Sequence, residues 1–593
     1  MVPRRIISFI STSLIAVALP IAPAAAAVRC GGERVTVVGT HGDDRIRGTR
    51  GRDVIHGLSG DDVIVGRRGG DVICGGAGDD RIWGNKGHDR IFGGSGDDAI
   101  RAGKGRDLVR AGKGSDVIFG GMHDDAVYGG RGVDRISGAA GDDFIDLGPG
   151  SFEGSAQIAG GGPGNDEIYG SSAHEDIYGG SGDDLIVGRE GTVTDVVARG
   201  GIDNLRGQKG NDHIISGTAG APSLGPRVSR SFGGSGNDLL EDLDGGATLF
   251  GGPGHDHFEG PAQDRCCSTL DFSDSPAGVV VDLSMGTAHG EGNDTIEGHI
   301  PWVNGSLQDD VLMGDGGDNR LFGDDGNDDL GGAGGNDTLI GSTGDDLLDG
   351  GEGRDEAVFS ANELDEPLVV NLDQGFATGQ GRDSIVAVED LWVGANRSAG
   401  AEVIGDDAPN NIESHLLESV DIQGRGGDDR IRTLSSGRVE GGAGNDRITS
   451  LRTRGASDIF GEEGDDTLLI QESCCTDAAQ TVDGGTGMDH VMFFTPPIRV
   501  DLASGIGTYH QEDPGTVRFL LSGVEAVTGS ERDDVLLGDS GANMLDGREG
   551  NDRIEGRAGD DFLDGGPGDS DYLDGGDGVD ECVNGETVTN CES

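Results

Sequence analysis

The chain has 593 residues, enough for several ordinary domains, yet 116 of them are Gly and only 4% are aromatic, so bulky side chains cannot fill thick cores. A formal net charge of −64 argues against nucleic acid as a partner and leaves a chain that repels itself. Such a chain needs a folding partner, and a cation is the simplest one.

Residues 1–27 read as a secretory signal peptide. Arg4 and Arg5 supply the charged start, 6–19 the apolar stretch, and Ala24 to Ala27 the small residues for cleavage. The apolar stretch is shorter than the ~20 residues a membrane-spanning helix needs. Export predicts a secreted, extracellular protein, with retention at the cell surface left open. It also predicts disulfides among the eight Cys. Cys30 lies ahead of the first repeats and Cys74 within them, while Cys582 and Cys591 lie together near residue 593. Bridges Cys30–Cys74 and Cys582–Cys591 are expected as staples. Cys266, Cys267, Cys474 and Cys475 have no assignable partners.

From Gly39 to Asp146 the chain divides into twelve nine-residue units without insertion or deletion. The sixth position is always Asp: Asp44, Asp53, Asp62, Asp71, Asp80, Asp89, Asp98, Asp107, Asp116, Asp125, Asp134 and Asp143. The eighth is always Ile or Val, and the fourth is Gly in eleven units of twelve, His123 excepted. Position five wanders, from Asp43 through Arg52, Asp61, Gly70 and Asp79 to His88. Constancy at six and freedom at five distinguish the carboxylate the repeat requires from the one it tolerates. The G-x-x-G-x-D part reads as a turn, because Gly permits positive φ and exposes its carbonyls. The three residues after it, such as Arg45-Ile46-Arg47, read as a very short strand with the Ile on one face. One Ile per nine residues makes no core alone. Coils of two units, stacked ~4.8 Å apart, make one.

From Leu147 to Glu259 the units continue, interrupted. Asp166, Asp184, Asp212, Asp238 and Asp256 hold position six, and Glu175 holds it in a degenerate unit. Residues 149–159 and 217–231 read as loops on a continuing solenoid. A different element then occurs three times. It runs through 271–273, 278–283 and 294–296, again through 359–360, 368–372 and 383–385, and again through 493–494, 498–502 and 523–525. Its alternating apolar pattern predicts longer strands that start new stacks of coils. Clean units return at Asp310, Asp328, Asp337, Asp346 and Asp355, with Asn319 in place of Asp once. Asp429, Asp446, Asp466 and Asp489 mark scattered units. Asp534, Asp552 and Asp561 mark the last clean run, in which Asn543 replaces Asp, and Asp580 marks one more unit. The expected segments are the signal peptide (1–27), a regular β-roll (28–147), a degenerate β-roll (148–265), two strand inserts each followed by β-roll (266–358 and 359–483), and a last insert with β-roll and Cys-bearing tail (484–593).

The constant features suit a hard cation. Calcium takes six to eight oxygen ligands in flexible geometry, from carboxylates and backbone carbonyls, whereas magnesium demands a tight octahedron and keeps its waters. A site forms only between stacked turns, two units apart in sequence, so twelve turns offer about ten sites. About twenty ions over the chain would supply about +40 against the −64. Turn capping alone, the plainer reading of the Asp ladder, would accept Asn or Ser freely, yet all twelve positions of the first run are Asp.

The units resemble the G-G-x-G-x-D-x-U-x calcium repeat of repeats-in-toxin (hemolysin-type) proteins. Gly75-Gly76-Ala77-Gly78-Asp79-Asp80-Arg81-Ile82-Trp83 matches at every fixed position, as does 441–449. The resemblance implies an all-β fold, a parallel β-roll or β-solenoid with multiple Ca2+ ions between successive turns, held by the position-six carboxylates. Members of that family often leave the cell through a dedicated exporter that reads a C-terminal signal; the N-terminal signal expected here predicts another route.

No enzyme emerges from the residues. His174-Glu175-Asp176-Ile177-Tyr178 begins like a zinc-protease H-E-x-x-H but has Tyr in place of the second His. No phosphate-binding loop follows the glycines. Acidic pairs such as Asp79-Asp80 recur every nine residues, which favours metal binding over a catalytic pair. The expectation is therefore a secreted calcium-binding protein with calcium-dependent folding, no catalysis, no membrane insertion and a structural or interaction role. The alternative is a carbohydrate-active enzyme or adhesin with its site in the irregular regions, and a polysaccharide or cell-surface partner.

Overall fold

The structure is a computed structural model that describes residues 28–149, 156–171, 175–188, 204–216, 229–243, 245–261, 268–362, 367–397, 400–416, 419–452, 457–472, 479–494, 497–511, 515–568 and 570–592. The expected signal peptide, His174, Cys266, Cys267, Cys474, Cys475, residues 150–155 and most of the 217–231 loop lie outside the described residues. Within them every regular element is a β-strand, and no helix is long and apolar enough to cross a membrane. The chain divides into two compact units, 1–151 and 152–593.

In the first unit consecutive strands alternate between two parallel sheets. Val63–Arg68, Arg81–Lys86 and Ala99–Lys104 follow one another in one sheet, and Val54–Ser59, Val72–Ala77 and Arg90–Ser95 in the other. Each pairs with the strand eighteen residues on, so Ile64 meets Ile82 and Ile82 meets Ile100, while Ile55 meets Ile73 and Ile73 meets Ile91. All six Ile are fully buried. Each such side chain contributes about 1.5–3 kcal/mol, so the thin core gains stability by the number of coils.

Internal strands are longer than the three residues expected: Arg81–Lys86 has six. The strand runs on through positions one to three of the next unit. An isolated strand would be weakened by Gly at position one. Here that Gly faces the inside of the coil, where a Cβ on Gly75 would lie 2.2 Å from Asp80 Oδ2, so its lack of a side chain lets the ladder pass. A short antiparallel hairpin, Arg29–Cys30 with Glu33–Arg34, lies along the side of the first three coils, where Glu33 meets Arg52 and Arg90. The Cys30–Cys74 disulfide ties it down, beside Val54 and Val72.

The second unit repeats the two-sheet stack around one core cluster from Leu240 to Leu573. The three irregular elements do not start new stacks, contrary to the expectation. Each is a three-stranded antiparallel meander inserted into one sheet. Asn293–Glu297 continues the sheet from His257–Glu259, Thr287–His289 runs back, and Val280–Asp282 passes the sheet on to Val311–Met313. The meander 368–386 lies likewise between Leu347–Asp349 and Ala401–Ile404. The meander 498–522 lies between Gln480–Thr486 and Val535–Leu537. The opposite sheet steps across each insertion directly, for example from Thr269–Asp271 to Trp302–Asn304. Cys582 and Cys591 are joined near the end of the second unit.

Candidate metal centres

Every turn brings its position-six side chain into the coil, and adjacent coils link these side chains into a ladder. The amide of each Asp donates to Oδ1 of the Asp one coil further on: Asp62 to Asp80, Asp80 to Asp98 and Asp98 to Asp116, at 2.8–2.9 Å. The second unit does the same, from Asp184 to Asp212 and from Asp429 to Asp446. This ladder consumes one carboxylate oxygen per residue. The other oxygen is buried and has no hydrogen-bond donor in Asp62, Asp71, Asp80, Asp89, Asp98, Asp107, Asp116 and Asp125. The same holds for Asp184, Asp212, Asp238, Asp256, Asp328, Asp337, Asp346 and Asp355, and for Asp429, Asp446, Asp466, Asp489, Asp552, Asp561 and Asp580. Asp134, Asp143 and Asp166 are buried at equivalent places.

A backbone carbonyl of the next coil lies close to that oxygen, across the glycine at position one. A Cβ placed on Gly57 would sit 2.0 Å from Asp62 Oδ2 and 2.5 Å from the Gly75 carbonyl oxygen of the next coil. Position one thus leaves a small cradle between a carboxylate and a carbonyl, with acceptor facing acceptor. Leaving a buried acceptor unsatisfied costs about 1–3 kcal/mol, more when it is charged, and the cost recurs at every coil. Burial raises the carboxyl pKa values, opposed by the ladder amides and reinforced by neighbouring carboxylates. Asp98, Asp125 and Asp256 are pushed up to about 8, and Asp89, Asp116 and Asp212 to about 7. The donor set of carboxylate and carbonyl oxygens fits a hard divalent cation. Among the described residues no three His, Cys, Asp or Glu side chains converge on one point. A cation here would therefore draw on stacked carboxylates together with backbone carbonyls.

Four sequence-predicted residues differ. Asp44, Asp53, Asp310 and Asp534 have their carboxylates closed by their own turns. The amides of Thr40, Thr49, Ser306 and Ser530 donate to Oδ2 at 2.5–2.6 Å, and the hydroxyls of the same residues donate to the carboxylate as well. In Asn319 and Asn543 the side-chain carbonyl takes the corresponding amide, from Asp315 and Asp539. Each of these turns opens a run of units, either near residue 39 or directly after a meander.

Position five is also more ordered than it looked. Sorted by coil rather than by unit, one edge of the first unit carries Asp43, Asp61, Asp79 and Asp97, and each of the later three donates its amide to Oδ1 of the one before. The opposite edge carries Arg52, Gly70, His88 and Arg106. Reading every nine residues interleaved the two edges and made an ordered column look random.

The ladder also includes residues outside the position-six set expected from the sequence. Asp294 and Asp383, on the meander strands that continue the sheet in parallel, accept the amides of Asp256 and Asp346. Asp571 accepts that of Asp552, and its second oxygen is another buried acceptor without a donor. Glu389, Glu525, Glu586 and Glu592 take the amides of Asp355, Asp489, Asp571 and Asp580. For Asp294 and Asp383 the signal is nearly complete: 289–297 and 378–386 keep Gly at positions two and four (Gly290 and Gly292, Gly379 and Gly381), Asp at six and Ile at eight, and lack only the Gly at position one, where His289 and Thr378 stand. Glu175, at position six of its degenerate unit, takes the amide of Ser171 and is fully buried.

A parallel β-solenoid whose turns are lined by stacked, buried carboxylates belongs to the class of cation-binding repeat proteins. The RTX calcium-binding nonapeptide repeat matches the chain at 38–73, 75–109, 101–136, 120–151, 160–192, 196–218, 232–261, 304–339, 331–357, 436–451, 522–554, 537–570 and 546–582, together more than half its length. The chain belongs to the RTX calcium-binding repeat family, and calcium is its partner ion. No curated protein matches the chain.

Proposed function

We propose that this is an exported protein whose coils fold as calcium enters the turns, and that it serves outside the cell as a structural or interaction element without catalysis. One observation carries this reading: coil after coil, a buried carboxylate oxygen faces a carbonyl oxygen with no donor between them. The residues that would hold the ions are the position-six carboxylates other than Asp44, Asp53, Asp310 and Asp534, joined by Asp294, Asp383 and Asp571 and by turn carbonyls. Bound calcium supplies positive charge that offsets carboxylate repulsion, and its binding free energy becomes folding free energy. Millimolar calcium outside a cell suffices for weak extracellular sites. Circular dichroism of the chain during a calcium titration tests the reading. The expected result is a cooperative gain of β-structure; a metal-free chain already fully β-structured and indifferent to millimolar calcium would sink it.

The adhesin or carbohydrate-active alternative has one observation in its favour. A groove of about 780 Å³ in the second unit is lined by Gln208, Lys209, Phe232, Phe250, Asp274 and Glu291. Phe232 and Phe250 stack on each other at 4.3 Å, and Arg206 lies 4.7 Å over Phe232 from the neighbouring strand on the other side. The ring faces a sugar would use are thus largely occupied, which favours the non-catalytic, structural reading.

A further inference from the structure

The two edges of the first unit carry opposite charges in matching order. On one edge the first four coils present the exposed carboxylates Asp43, Asp61, Asp79 and Asp97. Amide bonds to Oδ1 from the coil above hold Asp43, Asp61 and Asp79 in file. On the other edge the same four coils present the exposed cations Arg50, Arg68, Lys86 and Lys104. Arg68, Lys86 and Lys104 are direct register partners on successive strands, so they too stand one coil apart. Among the described residues none of these four cations has an ion-pair partner. Arg52 and Arg106 beside them are engaged by Glu33 and Asp124.

In the last two coils the signs reverse. The formerly acidic edge now carries exposed Lys113 and Arg131, and the formerly basic edge carries Asp124 and Asp142. A sideways translation of one copy along the line joining its two edges keeps coil opposite coil. It sets acid against base in all six coils, with the acid of the fifth, Asp124, shared with Arg106 of its own edge. Turning one copy end for end with the same two edges in contact would set Asp43 against Asp142, Asp61 against Asp124, Lys113 against Arg68 and Arg131 against Arg50, so that four of the six coils would meet like charges. We propose that the protein associates laterally with further copies of itself, in parallel and in register, through these two edges. A contact between two different edges does not close on itself and so extends into open rows. The spacing of ~4.8 Å per coil gives each contact a length of only about 29 Å. Each is therefore small and weak, and depends on low ionic strength and on repetition. The proposal rests on the calcium-folded state of the stack.

Sedimentation velocity of the full chain in millimolar calcium tests it, with circular dichroism recorded on every sample. The expected result is a sedimentation coefficient that rises with protein concentration at low salt and returns to the monomer value at high salt. A chain with Arg50→Glu, Arg68→Glu, Lys86→Glu and Lys104→Glu should remain monomeric. So should one with Asp43→Lys, Asp61→Lys, Asp79→Lys and Asp97→Lys, since position five already accepts Arg, Gly, Ser and Val in this stack. Mixing the two variants should restore association, because each now complements the other on both edges. If a fourfold variant loses its calcium-induced dichroism, the twofold changes at coils two and three replace it. A wild-type chain that stays monomeric at low salt, association that survives either reversal, or a mixture that fails to associate would each overturn the proposal. Binding of polyglutamate by a monomeric wild type, lost on reversing the basic edge, would overturn it in favour of a polyanionic partner. Dichroism indifferent to calcium would count against the functional reading instead, while the sedimentation result still decides the association.

Discussion

At the scale of single residues, close stacking makes some glycines far less replaceable than others. A Cβ on Gly87 would lie 1.7 Å from the Gly69 carbonyl oxygen, at a φ of +134° that L-residues rarely adopt. A Cβ on Gly42, in the opening coil, meets nothing within 4 Å. Gly87→Ala should therefore destabilise the calcium-loaded chain by more than about 1 kcal/mol, whereas Gly42→Ala should change little. Thermal melts of both variants in saturating calcium check this; equal losses would mean that the turns relax more than their packing suggests. The same contrast separates the carboxylates. Asp98 is a buried acceptor facing carbonyl oxygen, while Asp44 has its own Thr40 as donor. Both occupy position six, so their unequal environments are set by the neighbouring coil and by the residue at position two.

At the scale of elements, the opening turns have their carboxylates closed by protein donors, and the runs of buried carboxylates proposed to hold cations extend from them. Ser530→Ala removes the hydroxyl bond to Asp534 but leaves the amide bond. By analogy with a helix N-cap, the loss is about 1 kcal/mol. Because no ion is involved, the loss should be the same in calcium and in chelator, as denaturant melts under both conditions would show. A loss confined to the calcium-bound state would assign Asp534 to a cation site instead. How far these elements were legible in the sequence follows from what each depends on. The coil, its Ile core and the position-six ladder were legible because each unit of nine repeats the same local chemistry. The meanders were visible as alternating strands, but their antiparallel course was not. Each is defined by pairing partners on both sides of the insertion, such as 257–259 and 311–313, which no local pattern encodes. Asp294 and Asp383 are harder to see because position one of their units, His289 and Thr378, lies on the antiparallel strand of the meander and is not Gly.

At the scale of the whole molecule, charge and folding are one problem. In the metal-free fold Asp98 and Asp125 are pushed up to about 8, Asp89 and Asp116 to about 7, and Asp80, Asp107 and Asp134 to about 6, first by burial. The ordinary carboxyl value is about 3.9. A raised folded pKa means that the folded form binds its proton more tightly than the unfolded one. That contribution to stability is complete below about pH 4 and is lost as pH rises through 6 to 8. Lowering the pH from 8 to 5 in chelator should therefore increase the β-structure of the metal-free chain, protons taking over part of the work of calcium. Over the same range the calcium midpoint should move to higher concentration, since each ion must displace protons. Dichroism at a series of pH values reads both effects, and a metal-free chain that loses structure on acidification would contradict the assigned burial of these carboxylates.

The eighteen-residue coil has one further consequence, best put as parity. Units of nine are interchangeable for core and cradle, but they alternate between the two edges. Gain or loss of one unit within 39–146 would send every later unit to the opposite edge, exchanging its acidic and basic columns while leaving each turn intact. Gain or loss of two would restore the pattern. The chain can thus change length freely as a metal-binding stack, but only in even steps as a molecule with two distinguishable sides.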